Sequence, residues 1–163
     1  MKKTAGILFC LIAMLFAAGC AQPSGSEKAV VSESGEPEIR ADDSAEEENQ
    51  LRLYFDDTEI PVTWENNTAV EELAAEAANG EITVSMSMYG GWEQVGSLGR
   101  SYTRSDSQIT ANNGDIVLYS GNQIVVFYGS NSWSYTRLGK MDLPTDEVTE
   151  LLSQGDITLT IRG

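Results

Sequence analysis

Residues 115–128 read Asp115-Ile116-Val117-Leu118-Tyr119-Ser120-Gly121-Asn122-Gln123-Ile124-Val125-Val126-Phe127-Tyr128. Two five-residue runs rich in β-branched and aromatic side chains flank a turn-forming Ser120-Gly121-Asn122-Gln123. That pattern predicts a β-hairpin. Downstream, Tyr135–Met141 reads as a further strand after a polar loop, Gly129–Ser134. Thr145 is placed to cap a short helix carrying Val148, Leu151 and Leu152, and Asp146, Glu147 and Glu150 suit its positive N-terminal end. Gly155 ends that helix. Ile157, Leu159 and Ile161 then alternate with polar residues as a closing strand.

Upstream of the hairpin the same period recurs. Leu51, Leu53 and Phe55 alternate with Arg52, Tyr54 and Asp56, the mark of a half-buried strand. Asp56-Asp57-Thr58 turns the chain into a second strand, Ile60–Trp64, where Pro61 points to an edge or a strand start. Thr68 and Glu71 are spaced as a capping box for a helix whose stripe is Val70, Leu73, Ala74 and Ala77, stopped at Gly80. Ile82, Val84, Met86 and Met88 alternate as a third strand. Residues 89–114, punctuated by glycines and poor in apolar residues, read as a functional loop or an irregular strand. The sum is a mainly β domain over residues 51–163, about seven or eight strands with two short helices, which suits a small barrel whose open ends the helices plug.

The first 50 residues read differently. Lys2 and Lys3 precede an uncharged apolar run, Ala5–Phe16, of 12 residues. A permanent bilayer span needs roughly 20, so residues 1–19 read as an export signal. Ala17-Ala18-Gly19-Cys20 resembles the lipobox of bacterial lipoproteins, although Ala17 stands where leucine is usual. The resemblance implies cleavage before Cys20, acylation of its thiol and a lipid anchor on the extracytoplasmic face of the cell membrane. An ordinary secretory cut near Ala18, leaving Cys20 a free thiol, is the other route. Residues 20–50 form an acidic linker with nine acids against Lys28 and Arg40 from residue 21 onward. So few large apolar residues cannot offset the entropy of folding, and the linker is expected to be a disordered tether reaching roughly 30 Å. The acidic run Asp42–Glu48 could hold calcium, but its composition fits a solvated spacer better.

Composition excludes several functions. Residues 51–163 hold sixteen acids against six basic residues, and no basic stripe is present to bind a phosphate backbone. Nucleic acid is excluded as a partner. The chain has no histidine, and of its two cysteines Cys10 lies in the signal and Cys20 is the acylation site. A disulfide in the domain, Ser-His-Asp or Cys-His catalysis, and zinc held by histidine or thiolate are thereby excluded. No phosphate loop matches, since Gly90-Gly91 and Gly96-Ser97-Leu98-Gly99 lack both the spacing and a following helix. Asp115 reads as a turn residue rather than a metal ligand. No metal and no cofactor is implied.

Three stretches resemble the bacterial cyclophilin-like fold family: Met88-Tyr89-Gly90-Gly91-Trp92-Glu93-Gln94-Val95-Gly96, Gly114-Asp115-Ile116-Val117-Leu118-Tyr119, and Asn122–Gly139 with its Gly129-Ser130-Asn131-Ser132-Trp133-Ser134-Tyr135-Thr136-Arg137-Leu138-Gly139. The resemblance covers most of residues 51–163 and implies a closed eight-stranded barrel with two helices. It carries over no catalytic residue. True prolyl isomerases share the barrel but are marked by a Phe-x-x-x-x-x-Gln-Gly-Gly-Asp-type stretch and a histidine, and neither is present here.

What remains is a set of cations and aromatic groups. Trp92, Arg100, Tyr102, Arg104, Trp133, Tyr135 and Arg137 are the candidate ligand-binding residues, gathered at the barrel mouth. Each also has a structural reading: the rings could fill the barrel ends and the arginines could pair with surface acids. Two functions follow. One is a membrane-anchored extracytoplasmic binding module for a peptide or small molecule. The other is a divergent peptidyl-prolyl isomerase. Prolyl isomerisation needs an apolar slot and a donor near the imide nitrogen, to lower a barrier of ~18–20 kcal/mol, and Arg104 is the candidate donor.

Overall fold

In the computed structural model, residues 50–163 are described, and the expected signal, Cys20 and the expected linker up to residue 49 lie outside them. Ten strands and two helices follow in chain order: β1 (Arg52–Phe55), β2 (Thr58–Ile60), β3 (Val62–Trp64), α1 (Thr68–Ala77), β4 (Ile82–Tyr89), β5 (Glu93–Ser97), β6 (Ser107–Ala111), β7 (Asp115–Tyr119), β8 (Gln123–Phe127), β9 (Asn131–Met141), α2 (Thr145–Leu152) and β10 (Ile157–Arg162). All observed pairings are antiparallel.

The strand order is β2-β1-β10-β4-β5-β8-β7-β9-β3, with β6 attached to β9 off that path. The two ends of the path, β2 and β3, are consecutive in sequence across Pro61. One bent segment therefore joins β1 on one side to β9 on the other, and the sheet becomes a nearly closed barrel. Pro61 has no N–H to give a ladder, which suits the corner, and its carbonyl still accepts from the Asp142 amide at 2.8 Å. Counted with Thr58–Trp64 as one stave, the ring has the expected eight.

Alternate residues point inward. Leu53, Phe55, Val84, Met86, Ile116, Leu118, Ile124, Val126, Leu159 and Ile161 fill the barrel, with Val70 and Leu73 of α1 and Val148 and Leu152 of α2 in the same cluster. The helices are stitched as well as packed. Asn67 accepts from the Val70 amide at 3.1 Å and donates to the Arg137 carbonyl at 2.9 Å. Asn67 is thus the N-cap, and Thr68 is the first helical residue. Pro144, not Thr145, precedes the first turn of α2. Gln94, wholly buried, donates to the Leu152 and Gly155 carbonyls, each at 2.7 Å, and ties the end of α2 into the barrel.

The stretch 89–114 holds two strands. β5 crosses between β4 and β8, where Gly96 is needed because a Cβ there would run into Val84, the Met86 sulfur and the Ser85 carbonyl. β6 pairs with the first half of β9, from Asn131 to Tyr135, so the expected polar loop at 129–134 is mostly strand. The second half of β9 pairs with β7 through an irregularity at Ile116/Val117. A second apolar cluster lies on the outer face of the barrel wall: Ala111, Val117, Val125, Phe127 and Tyr135, flanked by Val95, Ile109 and Tyr119. These are the residues out of phase with the interior set, as strand alternation demands.

Candidate functional site

A groove of about 380 Å³ opens on this outer face, lined by Tyr89, Glu93, Val95, Tyr119, Gln123, Val125, Asn131, Trp133 and Tyr135. The interior of an eight-stranded barrel is just wide enough for its own side chains, and here they fill it. The groove therefore lies on the wall rather than at the barrel mouth. Adjacent strands β5, β8 and β7 supply Glu93, Val95, Gln123, Val125 and Tyr119, while the first half of β9 supplies Asn131, Trp133 and Tyr135. Tyr135 packs edge-on against Tyr119 and Phe127, with ring centres 6.0 and 5.8 Å away. Its hydroxyl accepts from the Asn131 amide at 3.2 Å. Trp133 and Tyr89 are 55% and 67% exposed, large rings left open to solvent.

Glu93 is the unusual member. It is 6% exposed, and its Oε2 is buried with no hydrogen-bond partner among the described residues. Burial holds its carboxyl above the usual range, because removal from water penalises the charged form. Burial and then the Glu93 charge both raise the Tyr135 phenol. The other buried carboxylate, Asp115, is fully engaged. It accepts from Lys140 at 2.9 Å, Arg137 at 3.2 Å and the Asn112 amide at 2.9 Å, the partners of a structural turn at the start of β7.

Of the seven candidate residues, Trp133 and Tyr135 come together in the groove. Arg137 follows on β9, bound to Asp115. Arg100 and Tyr102 lie elsewhere, pinning the segment before β6 onto α1: Arg100 pairs with Glu76 at 3.0 Å and lies over the Tyr102 ring, whose hydroxyl donates to Glu76 at 2.7 Å. Burial, then that bond to Glu76, holds the Tyr102 phenol well above its ordinary value. Thr103 joins the same seam through two hydrogen bonds to Glu72, at 2.6 and 2.7 Å. Arg104 is bound by Asp106, which also accepts from Thr136 at 2.6 Å. Trp92 sits close against Gly90 and Gly129, either of which would meet it with a Cβ at 2.5 Å. Its carbonyl accepts from the Tyr128 and Gly129 amides, both at 2.9 Å.

Tyr89, Glu93, Val95, Tyr119, Gln123, Val125 and Asn131 complete the lining and were not among the sequence candidates. Tyr89 and Glu93 face each other across β4 and β5, a juxtaposition visible only once that pairing is known.

The Cyclophilin-like family matches residues 53–162, nearly the whole described domain. No curated protein matches the chain in sequence. A solved structure, that of McbB in complex with tryptophan, is similar with a TM-score of 0.47 and 15% identity, covering 69% of this chain and 44% of that one.

Proposed function

Because the chain belongs to the cyclophilin-like family, we propose that it is a membrane-anchored, extracytoplasmic binding module whose outer groove holds a peptide or small molecule without transforming it. The observation that carries this reading is the groove itself. Exposed Trp133 and Tyr89 flank a concave floor of Val95, Val125, Tyr119 and Tyr135. Aromatic rings beside a few converging polar groups are the ordinary chemistry of a ligand site. Anchoring rests on the sequence at Cys20. No helix among the described residues is long and apolar enough to cross a membrane.

Prolyl isomerisation finds less support. No arginine lines the groove, and Arg104 is engaged by Asp106. The donors on offer are tyrosine hydroxyls, the Trp133 indole N–H and the amides of Gln123 and Asn131.

Two experiments test the proposal. A panel of short peptides and small aromatic ligands, titrated against the protein, should include some that saturate. Trp133→Ala should weaken those at least fivefold without moving the melting temperature, and equal binding by the variant would remove the groove. Cys20→Ser should shift the protein from the membrane fraction to the soluble one, whereas retention would contradict lipidation at that thiol.

A further inference from the structure

We infer that the groove takes a protonated primary or secondary amine, with the ammonium N–H groups bonded to Glu93 and the apolar part lying among Tyr89, Tyr119, Trp133 and Tyr135. This rests on the binding reading above and narrows it to a chemical class.

The starting point is the contrast between the two buried carboxylates. Asp115 meets three donors. Glu93 leaves a buried oxygen with none among the described residues. An ionised carboxylate accepts only, at about four positions, so what completes Glu93 must bring N–H or O–H groups. The groove cannot supply a counter-charge of its own. No lysine or arginine lines it. Residues 51–163 carry sixteen acids against six basic groups, so the surrounding field favours an arriving cation and disfavours an anion.

The remaining walls fit the same guest. Faces of tryptophan and tyrosine rings attract a cation, most strongly where water is displaced. Three tyrosines and a tryptophan around one acid provide that attraction along with apolar contact area. The carboxylate separates amine classes. A primary or secondary ammonium has N–H groups to give to Glu93, whereas a quaternary ammonium has the charge and no donor. Burial, which raises the Glu93 carboxyl, is offset when an ammonium lies beside it.

The test is a calorimetric titration of the full chain in mild detergent with four probes of one shape: phenethylamine, phenethyltrimethylammonium, 2-phenylethanol and 3-phenylpropionate. Phenethylamine should bind at least tenfold more tightly than the alcohol, the quaternary analogue should fall between them, and the carboxylate should not bind. Glu93→Gln should weaken phenethylamine at least tenfold and leave the alcohol within twofold. Trp133→Ala should weaken both. Equal affinity for amine and alcohol, or an unchanged amine affinity in Glu93→Gln, overturns the amine assignment and leaves the groove as a binding site. Binding of none of the four also overturns it, and the binding reading then falls only if the peptide and aromatic panel fails too. The probe series on the wild-type protein decides the matter even where a variant does not fold.

Discussion

Replacing Glu93 by glutamine should make the domain more stable at neutral pH, an effect readable without any ligand. The carboxyl is buried, lacks a donor at Oε2, and has its pKa raised by burial. A raised native-state pKa means that the folded chain binds the proton more tightly than the unfolded chain does. Stability is then full below the unfolded value of about 4.3 and falls as pH rises through the folded value. Glutamine carries no charge at any pH. The two proteins should therefore be equally stable near pH 4 and diverge above it, the variant gaining on the order of 1 kcal/mol by pH 8, the low end of what an unpartnered buried polar group costs. In melting temperature that is about 4 °C for a domain of this size. The polar groups that share the groove with Glu93 are the phenols of Tyr89, Tyr119 and Tyr135, the Trp133 indole and the amides of Gln123 and Asn131, and no other carboxylate lines it. Urea denaturation of both proteins from pH 4 to 8 measures the difference directly. A gap that is constant with pH would show that folding leaves the proton affinity of the carboxyl unchanged, and a variant less stable at pH 8 would show that the carboxylate is paired in the native protein; either result refutes the reasoning.

Gly96→Ala should lose about 2–3 kcal/mol in urea denaturation, because its methyl has no room against Val84, Met86 and the Ser85 carbonyl. Asn67→Ala should cost about 1–2 kcal/mol and Thr68→Ala much less, since Asn67 is the residue that caps α1; equal losses would return the cap to Thr68. Tyr102→Phe should cost about 1 kcal/mol by removing the hydrogen bond to Glu76. It should leave ligand affinity unchanged, because this seam is separate from the groove; a parallel loss of binding would tie the two together.

The barrel was legible wherever inward-facing positions are apolar. β1, β4 and β10 follow a two-residue period, the β7–β8 hairpin is a pair of apolar runs buried on both faces, and both helices carry clear stripes. β5 was hidden because its inward positions are Gln94 and Gly96, one tying down α2 and the other admitting the neighbouring strand. β6 and the first half of β9 were hidden because they fold over the outside of the wall, where Ile109, Ala111 and Tyr135 suffice as contacts and the rest stays polar. The site divided in the same way. Trp133 and Tyr135 were recognisable as large rings on a polar segment. Glu93 was one acid among sixteen in the domain, and only the folded chain shows it buried, with Oε2 unpartnered among the described residues. Arginines drew attention as the scarce cations, but nothing along the chain shows that Glu76, Asp106 and Asp115 hold three of them.

The pairing of β1 with β10 sets the order in which the ring can be finished. The chain is made amino end first, so Arg52–Phe55, flanked on one side by Thr58–Ile60, waits for its other neighbour until Ile157–Arg162 is present. Until then β4 also lacks that neighbour. Such distant partners make for slow, late assembly. A molecule cut short before Ile157 would retain its helices and central hairpin yet expose two raw sheet margins, the kind of surface that recruits other copies into aggregates.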